Sequence, residues 1–362
     1  MNFGDSRRQT SEPRAGHRRK TRSRRQRRAK PGGNSGLTPF PPDAAGLEAL
    51  ARRALGSLAA VESLVGDVGR RRYFRIHFPD NRSVVGVVYP ADEADSRRRW
   101  VAAHAALSGR VRLPRIVADD GAGNQIVEDL GEGDLAARFA QSPPESRTWL
   151  ERAAETAAEI AATPDPDLNP PFDASLFRRE LDLARQAVFE LFLERPLSNA
   201  ERAAHDAWAE ALVREILGHP SALCHRDYHA NNLFPSGGEV AVIDFQDLRS
   251  GPDTYDLASL LWERTTLAWM TESLARAAVE RFASCRGLEA DALAARLPRV
   301  LLQRAWKVCG TFARAIVERR ADLYRRYLPG QLALVRRLLA QTSEDAGFRA
   351  VLEDRCGLAM LS

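Results

Sequence analysis

Residues 222–246 constrain the fold more than any other part of this sequence. The stretch places charged and polar side chains between short apolar runs, within a half of the chain that otherwise has helical periodicity. A bare charge is costly to bury, so polar residues that interrupt strand-like fragments are expected to act together. They read H-x-D-x-H-x-x-N and then, after a Gly-Gly turn and the run VAVI, D-F: His225, Asp227, His229, Asn232 and Asp244.

The pattern of the chain changes at about Gly131. Before it, apolar runs bounded by turn residues predict five antiparallel strands between Val61 and Leu130, with a helix at 96–107 and a hairpin turn at Gly121–Asn124. After it, a period of 3.6 residues predicts a series of helices. These are expected near 134–140, 147–162, 174–194 and 198–217, and again from Tyr255 onward.

The two patterns predict an α+β fold of two lobes. A small antiparallel-sheet N-lobe is expected at 43–130 and a larger helical C-lobe at 131–362, with the site in the cleft between them. No apolar run approaches the ~20 residues that a membrane helix needs. The four cysteines are scattered without a zinc-like spacing, which disfavours a disulfide framework or a zinc site and suits the cytoplasm.

Residues 1–42 are predicted to be a disordered basic tail and linker. Residues 1–36 hold twelve Arg and Lys against two acids, a net charge of +10, so the rest of the chain has a net charge of −5. An arginine-rich arm of this kind could contact a polyanion or nucleic acid, because it releases counterions from phosphates. The alternative is a solvated extension, or a start codon placed too early.

The residue types at 222–246 suit phosphoryl transfer. Such a site needs one carboxylate to orient the acceptor hydroxyl, and an amide with a second carboxylate to hold Mg²⁺ on the phosphates. The five-residue step from Asp227 to Asn232 permits a loop whose two ends face the same phosphate. A buried polar network without catalysis would also account for these residues.

The same string resembles the catalytic and metal-binding loops of the aminoglycoside phosphotransferase superfamily, small-molecule kinases related to protein kinases. The resemblance implies a protein-kinase-like fold with ATP and Mg²⁺. It implies that Asp227 is the catalytic base, that Asn232 and Asp244 bind the metal, and that the remaining polar residues support the loop. These are His225 and His229, which would brace it, and Asp256, which would tie the next helix to it. Arg226 is expected to pair either with a carboxylate or with substrate.

Two stretches of the N-lobe resemble nucleotide-binding segments of the same superfamily. Gly66 and Gly69 lie between two predicted strands, where kinases place a loop over the phosphates, although a plain hairpin turn is the alternative. Arginines follow at Arg70, Arg71, Arg72 and Arg75, of which we expect Arg72 to bind phosphate. The E-D-L-G segment matches the hinge, where backbone groups of Glu128 and Leu130 would contact adenine.

One expected group is missing from the third strand. Kinase-like enzymes carry a Lys there, paired with a helix Glu, and hold the phosphates with it. Here the strand reads SVVGVVY, with Val87 near the Lys position and Glu93 as the nearest acid. Either arginines of the glycine loop and Mg²⁺ meet the phosphate charge, or nucleotide binding is weak.

The Lys-less strand together with GDVGRRRYFRI, EDLG and IDFQD resembles the bacterial anomeric sugar kinases of the superfamily, which phosphorylate N-acetylmuramate and N-acetylglucosamine. The acceptor pocket is then expected on the helices. Its candidate residues are Arg178, Glu180, Arg304 and Lys307, which could equally be solvated helix faces. Alternatives are another small alcohol (an aminoglycoside, choline or a hydroxylated amino acid) or a pseudokinase body with a polyanion-binding tail.

Overall fold

A computed structural model describes most of the chain beyond the basic tail. The described residues are 40–41, 44–64, 70–141, 145–319 and 322–357. The expectations for residues 1–36, disorder and polyanion contact, and those for Gly66 and Gly69 lie outside the described residues. Within them, no helix has both the length and the apolarity to cross a membrane.

Five strands of the described N-terminal region form one antiparallel sheet, in the order β1-β2-β3-β5-β4. Their bounds are β1 Ala60–Leu64, β2 Arg72–His77, β3 Ser83–Val88, β4 Ile116–Asp119 and β5 Asn124–Glu128. Runs of β-branched residues and tight turns account for these strands. Between β4 and β5, Asp120 accepts the backbone N–H groups of Ala122 and Asn124 (2.7 and 2.9 Å), so the predicted hairpin is confirmed.

The sheet has two differently covered faces, because side chains alternate along each strand. Helix α1, Ala45–Leu55, covers one face, where Phe74 and Ile76 are buried. Gly86 lies directly under this helix, and a Cβ there would lie 2.6 Å from a methyl group of Leu47. The opposite face carries Tyr73, Val87 and Val127 and is called the cleft face below.

Helices make up most of the remaining described chain, interrupted by two small two-stranded sheets. The helices are α2 Ala94–Leu107, α3 Leu135–Gln141, α4 Ser146–Ala162, α5 Ala174–Arg185, α6 Asn199–Leu217, α7 Tyr255–Leu261, α8 Glu272–Arg286, α9 Ala290–Glu318, α10 Leu328–Leu339 and α11 Ala346–Cys356. The short strands are β6 Ser221–Cys224, β7 Leu233–Ser236, β8 Glu239–Val242 and β9 Arg249–Pro252. Antiparallel pairs join β6 to β9 and β7 to β8.

Local sequence explains where several of these helices begin. Ser198 and Glu201 form a reciprocal capping box at the start of α6, and Asp173 accepts the N–H of Leu176 at the start of α5. The single helix expected over 174–194 is wrong in one respect: the α-helix ends at Arg185 and a π-helix continues over Gln186–Phe192. Apolar periodicity does not reveal such a one-residue change in hydrogen-bond register.

One large apolar core joins the helices to part of the sheet region. Trp100 and Leu107 of α2 and Val127 of β5 belong to the same buried cluster as the long helix α9. The predicted α+β class is confirmed by this architecture. Through Val127, the cleft face of the sheet packs on the same core as Leu233, Val242 and Phe245, which border the loops that follow β6 and β8.

Candidate active site

The loop that follows β6 carries Asp227 and is held at its start by helix α7. The carboxylate of Asp256, in the first turn of α7, accepts the backbone N–H groups of His225 (2.7 Å) and Arg226 (3.0 Å). Arg226 has a φ of +81°, in the left-handed region that non-glycine residues rarely adopt. Such a conformation persists only where its surroundings enforce it, and it is found mostly at functional sites.

The far end of the loop closes on itself through Asn232. Its side-chain nitrogen donates to the backbone carbonyl of Asp227 (2.9 Å), and its backbone N–H donates to the carbonyl of His229 (2.8 Å). Nε2 of His225 lies 2.9 Å from the carbonyl of Ile243, and since a carbonyl only accepts, this nitrogen carries the proton. His225 thereby joins this loop to the one that follows β8.

The loop after β8 presents Asp244, which has a φ of +63°. The backbone N–H of Ile243 donates to the carbonyl of Asn232 (3.0 Å), so the two loops are adjacent. Gln246 donates to Oδ1 of Asp244 (2.9 Å) and orients the carboxylate. Phe245 is fully buried, with its ring centroid 5.1 Å from that of Trp100 in α2, and this contact anchors the loop.

Asn232 and Asp244 fit a magnesium ion. The amide nitrogen of Asn232 is committed to the loop, which leaves the amide oxygen for a ligand. The side chain of Asp244 is 42% exposed, so its second carboxylate oxygen is accessible. Oε1 of the neighbouring Gln246 is buried without a hydrogen-bond partner among the described residues. Amide and carboxylate oxygens are the hard donors that Mg²⁺ selects.

Asp227 is surrounded by positive charge. Burial by itself would raise the pKa of its carboxyl, but the cations Lys307, Arg304 and Arg226 outweigh that effect and hold the pKa well below its ordinary value. Burial lowers the pKa of His229, so this imidazole is neutral near pH 7. Asp227 is therefore an ionised carboxylate, ready to accept a hydrogen bond.

Glu180 of α5 lies beside this loop in a buried ion-pair network. It accepts from Gln303 (2.9 Å) and Arg226 (3.2 Å), and Nζ of Lys307 lies 3.4 Å from its carboxylate. Burial opposes the charge of Lys307, but the carboxylates of Glu180 and Asp227 hold the pKa of the amine above its usual value. Glu180 and Lys307 thus lie beside the loop of Asp227, and their contact with the acceptor stays a prediction.

The two other candidates for acceptor binding have different contacts. Arg304 is buried, donates to the backbone carbonyl of Arg226 (2.7 Å) and lies over the ring of Tyr255, so it supports the catalytic loop. Arg178 donates to both the side chain (2.6 Å) and the carbonyl (3.0 Å) of Asp206, which joins α5 to α6. The structure does not bring Arg178 together with Asp227, because its guanidinium is directed toward the neighbouring helix.

The predicted hinge is tightly held by arginines. The backbone N–H of Glu128 donates to the carbonyl of Arg115 (2.8 Å), so only its carbonyl is left for the expected adenine contact. Arg75 lies 2.7 Å from the carboxylate of Asp129, which fixes the start of the segment leading to Leu130. The contacts with adenine stay a prediction.

Among the arginines at 70–75, Arg71 is the one that approaches the loop after β8. Arg72 pairs with Val88 in the sheet register and lies over the ring of Phe74 (5.5 Å), on the face that α1 covers. Arg71 is on the cleft face instead, and its Nη2 lies 3.8 Å from Oδ1 of Asp244. The alternation of side chains along β2 was the sequence signal that separates the two residues.

The described fold and these two loops define a kinase-like phosphotransferase. The sequence model of the phosphotransferase enzyme family, the APH family, matches residues 60–306, and the chain belongs to this family. The chain is therefore a small-molecule kinase, an enzyme whose acceptor is an alcohol group.

Relatives and solved structures agree with this assignment. The chain is 28% identical to an N-acetylmuramate/N-acetylglucosamine kinase of Neisseria meningitidis serogroup B over 303 residues, which cover 80% of this chain and 89% of that one. It is 29% identical to a protein of the same name from Pseudomonas putida, over 83% and 86% of the two chains. The structure of a gentamicin–APH(2'')-IIa complex shares the fold, with a TM-score of 0.60, 16% identity and 85% and 99% coverage.

Proposed function

We propose that this kinase transfers the γ-phosphate of ATP to the anomeric hydroxyl of an amino sugar, N-acetylmuramate or N-acetylglucosamine, with Mg²⁺ and in the cytoplasm. The observation that carries the proposal is the carboxylate of Asp227, which lies in the loop after β6 and is kept ionised by Lys307. The names of the relatives from Neisseria meningitidis and Pseudomonas putida support the choice of acceptor.

In this proposal Asp227 orients the acceptor hydroxyl and takes its proton. The low pKa makes Asp227 a weak base, so its main role is to orient the hydroxyl. An anomeric hydroxyl is more acidic than an ordinary alcohol and needs only a modest base. The hydrogen bonds that Asn232 and His225 donate, and the one that Asp256 accepts, hold the loop in one position, which aligns the attacking oxygen for in-line transfer. Mg²⁺ bound by Asn232 and Asp244 would neutralise charge on the phosphates.

The charges beside Asp227 favour a neutral or anionic acceptor. A cationic acceptor such as an aminoglycoside or choline calls for free carboxylates or an aromatic box. Here the acidic neighbour Glu180 is already paired with Arg226 and Lys307. Lys307 carries a positive charge that a sugar carboxylate or hydroxyl can meet. These contacts support an amino sugar over a polyamine acceptor.

The proposal predicts that Asp227→Asn abolishes sugar phosphorylation. The substitution keeps the shape of the side chain but removes the proton acceptor, so we expect kcat to fall by about 10²- to 10⁴-fold. The measurement is ATP consumption with Mg²⁺ against N-acetylmuramate, N-acetylglucosamine, other sugars, aminoglycosides, choline and serine. Phosphorus NMR of the product identifies an anomeric phosphate.

The control for this variant is Asp291→Asn. Asp291 is an exposed carboxylate paired with Arg276 on the surface, and its loss should leave the rate unchanged. Turnover with a different acceptor, or phosphate on another hydroxyl, would contradict the sugar assignment. Full activity of Asp227→Asn would contradict the assigned base.

A further inference from the structure

The cleft face of the sheet lacks the lysine that kinase-like enzymes place on the third strand. Val87 lies near that position and is buried, with 5% of its surface exposed. A nucleoside triphosphate brings several negative charges into a partly desolvated cleft, and those charges need a cation there. Without a lysine on β3, another residue of this chain must supply that cation.

The strand register places Arg71 close to Val87, the position where a lysine is expected. Tyr73 pairs with Val87, so Arg71, two residues earlier, lies on the same face of the sheet, opposite Tyr89. Its guanidinium carbon is 5.8 Å from the centroid of the Tyr89 ring. Arg71, immediately before β2, therefore lies on the cleft face near Val87, where a lysine of β3 is expected.

The contacts of Arg71 match those expected of the missing lysine. Its Nη2 lies 3.8 Å from the carboxylate of Asp244, and its Nε lies 4.0 Å from that of Glu93, just before α2. The side chain is 16% exposed. Both separations exceed a hydrogen-bond distance, so neither carboxylate holds the guanidinium tightly.

The neighbouring arginines lie elsewhere. Arg70 is 65% exposed and forms its short contact with Asp92 (2.7 Å). Arg75 is joined to the hinge through Asp129. Arg72 belongs to the face under α1. Among the arginines at 70–75, Arg71 thus lies on the cleft face and also approaches Asp244 in the predicted metal-binding loop.

We propose that Arg71 binds the α- and β-phosphates of the nucleotide in place of a third-strand lysine, with Glu93 as its acidic anchor. The planar guanidinium can donate to two phosphate oxygens at once. Its approach to Asp244 brings the phosphates toward the residues that fit Mg²⁺. This inference rests on the proposed function for the nucleotide, and is independent of the acceptor.

The test compares nucleotide affinities of Arg71→Met and Arg71→Lys in the full chain. Calorimetry measures Kd for Mg²⁺–ADP, for a non-hydrolysable Mg²⁺–ATP analogue and for adenosine. We expect Arg71→Met to weaken both nucleotides by about ten- to a hundredfold and to leave adenosine unchanged, because the lost contact is to phosphate. Arg71→Lys should restore part of the affinity. Thermal unfolding shows whether each variant is folded.

Arg98→Met is the matched control, since Arg98 is an exposed arginine of α2 paired with Asp95. Unchanged nucleotide affinity in Arg71→Met, or an equal loss of adenosine binding, would overturn the role of Arg71. If the wild type binds Mg²⁺–ADP through Arg71 but phosphorylates no amino sugar, the acceptor assignment fails and this inference stands. If the wild type binds no nucleotide, both are overturned.

Discussion

At the scale of single residues, two aspartates at the site have opposite electrostatic surroundings. Lys307, Arg304 and other cations hold the pKa of Asp227 low in spite of burial. Burial raises the pKa of Asp256, whose carboxylate is met mainly by backbone N–H groups. Asp227 is thus an ionised carboxylate suited to accept a hydrogen bond from a substrate hydroxyl, whereas Asp256 is suited to hold the loop.

The buried side chain of His205, in α6, allows a prediction of how stability depends on pH. Burial lowers its pKa to about 4, although Asp206 lies 3.2 Å from Nδ1. The unfolded chain takes up a proton near pH 6.5 that the folded chain does not, so stability falls as the pH drops from 6.5 toward 4. At pH 5 this histidine should cost about 2 kcal/mol of unfolding free energy.

Urea unfolding at pH 7.5 and pH 5.0 measures this effect. The variant His205→Gln carries no titrating group at that position, so its stability should decrease less over the same interval. An equal decrease in the wild type and the variant would show that other groups, such as the buried carboxylates, account for the acid sensitivity.

At the scale of secondary-structure elements, the pairing of α5 with α9 positions the acceptor side of the site. Glu180 of α5 meets Gln303 and Lys307 of α9. Further along the same pair, a Cβ on Gly310 would lie 2.4 Å from the Cα of Ala184, so the two backbones are in direct contact there. The small residue sets how closely the helices approach.

We therefore expect Gly310→Ala to push α5 away from α9. The added methyl group should lower the unfolding free energy by about 1–3 kcal/mol and raise the KM for the acceptor, since Glu180 and Lys307 separate. Thermal unfolding and steady-state kinetics measure the two effects.

The control for this helix pair is Gly347→Ala in α11. A Cβ there would meet Ala204 at 3.9 Å, an ordinary contact, so helix propensity should make this variant slightly more stable. A Gly310→Ala protein as stable as the wild type would contradict the close approach of α5 and α9.

At the scale of the whole molecule, several contacts join the sheet region to the catalytic loops. Trp100 of α2 packs on Phe245, and the backbone N–H of Val242 donates to the carbonyl of Arg112 (2.9 Å). Arg71 extends from the sheet toward Asp244. Because these contacts lie within the described chain, the site is expected to form without the basic tail.

Deleting residues 1–36 is predicted to leave kinase activity within about twofold of the full chain, because no assigned site residue lies in the tail. The same deletion should remove any retention on a nucleic-acid column, since it takes away a net charge of +10. Loss of turnover on deletion, with the protein still folded, would mean that the tail contributes to the active site.

Much of this molecule could be predicted from local sequence patterns. Alternating apolar residues and turn residues located the β2–β3 and β4–β5 hairpins, and helical periodicity located α4 and α6. The five-residue step from Asp227 to Asn232 indicated one loop, and the resemblance to the phosphotransferases implied that Asp244 acts with it. The hairpins, the helices and the loop depend on residues that are close together in the chain.

Other features depended on the tertiary structure. The sequence alone determined the α+β class and the polar motif, since both follow from periodicity and spacing. It did not determine that Arg71 rather than Arg72 faces Asp244, that Arg304 supports a backbone carbonyl, or that Arg178 pairs with α6. An arginine side chain is long and its partner can lie anywhere in the chain, so only the packing of the elements decides which charge it meets.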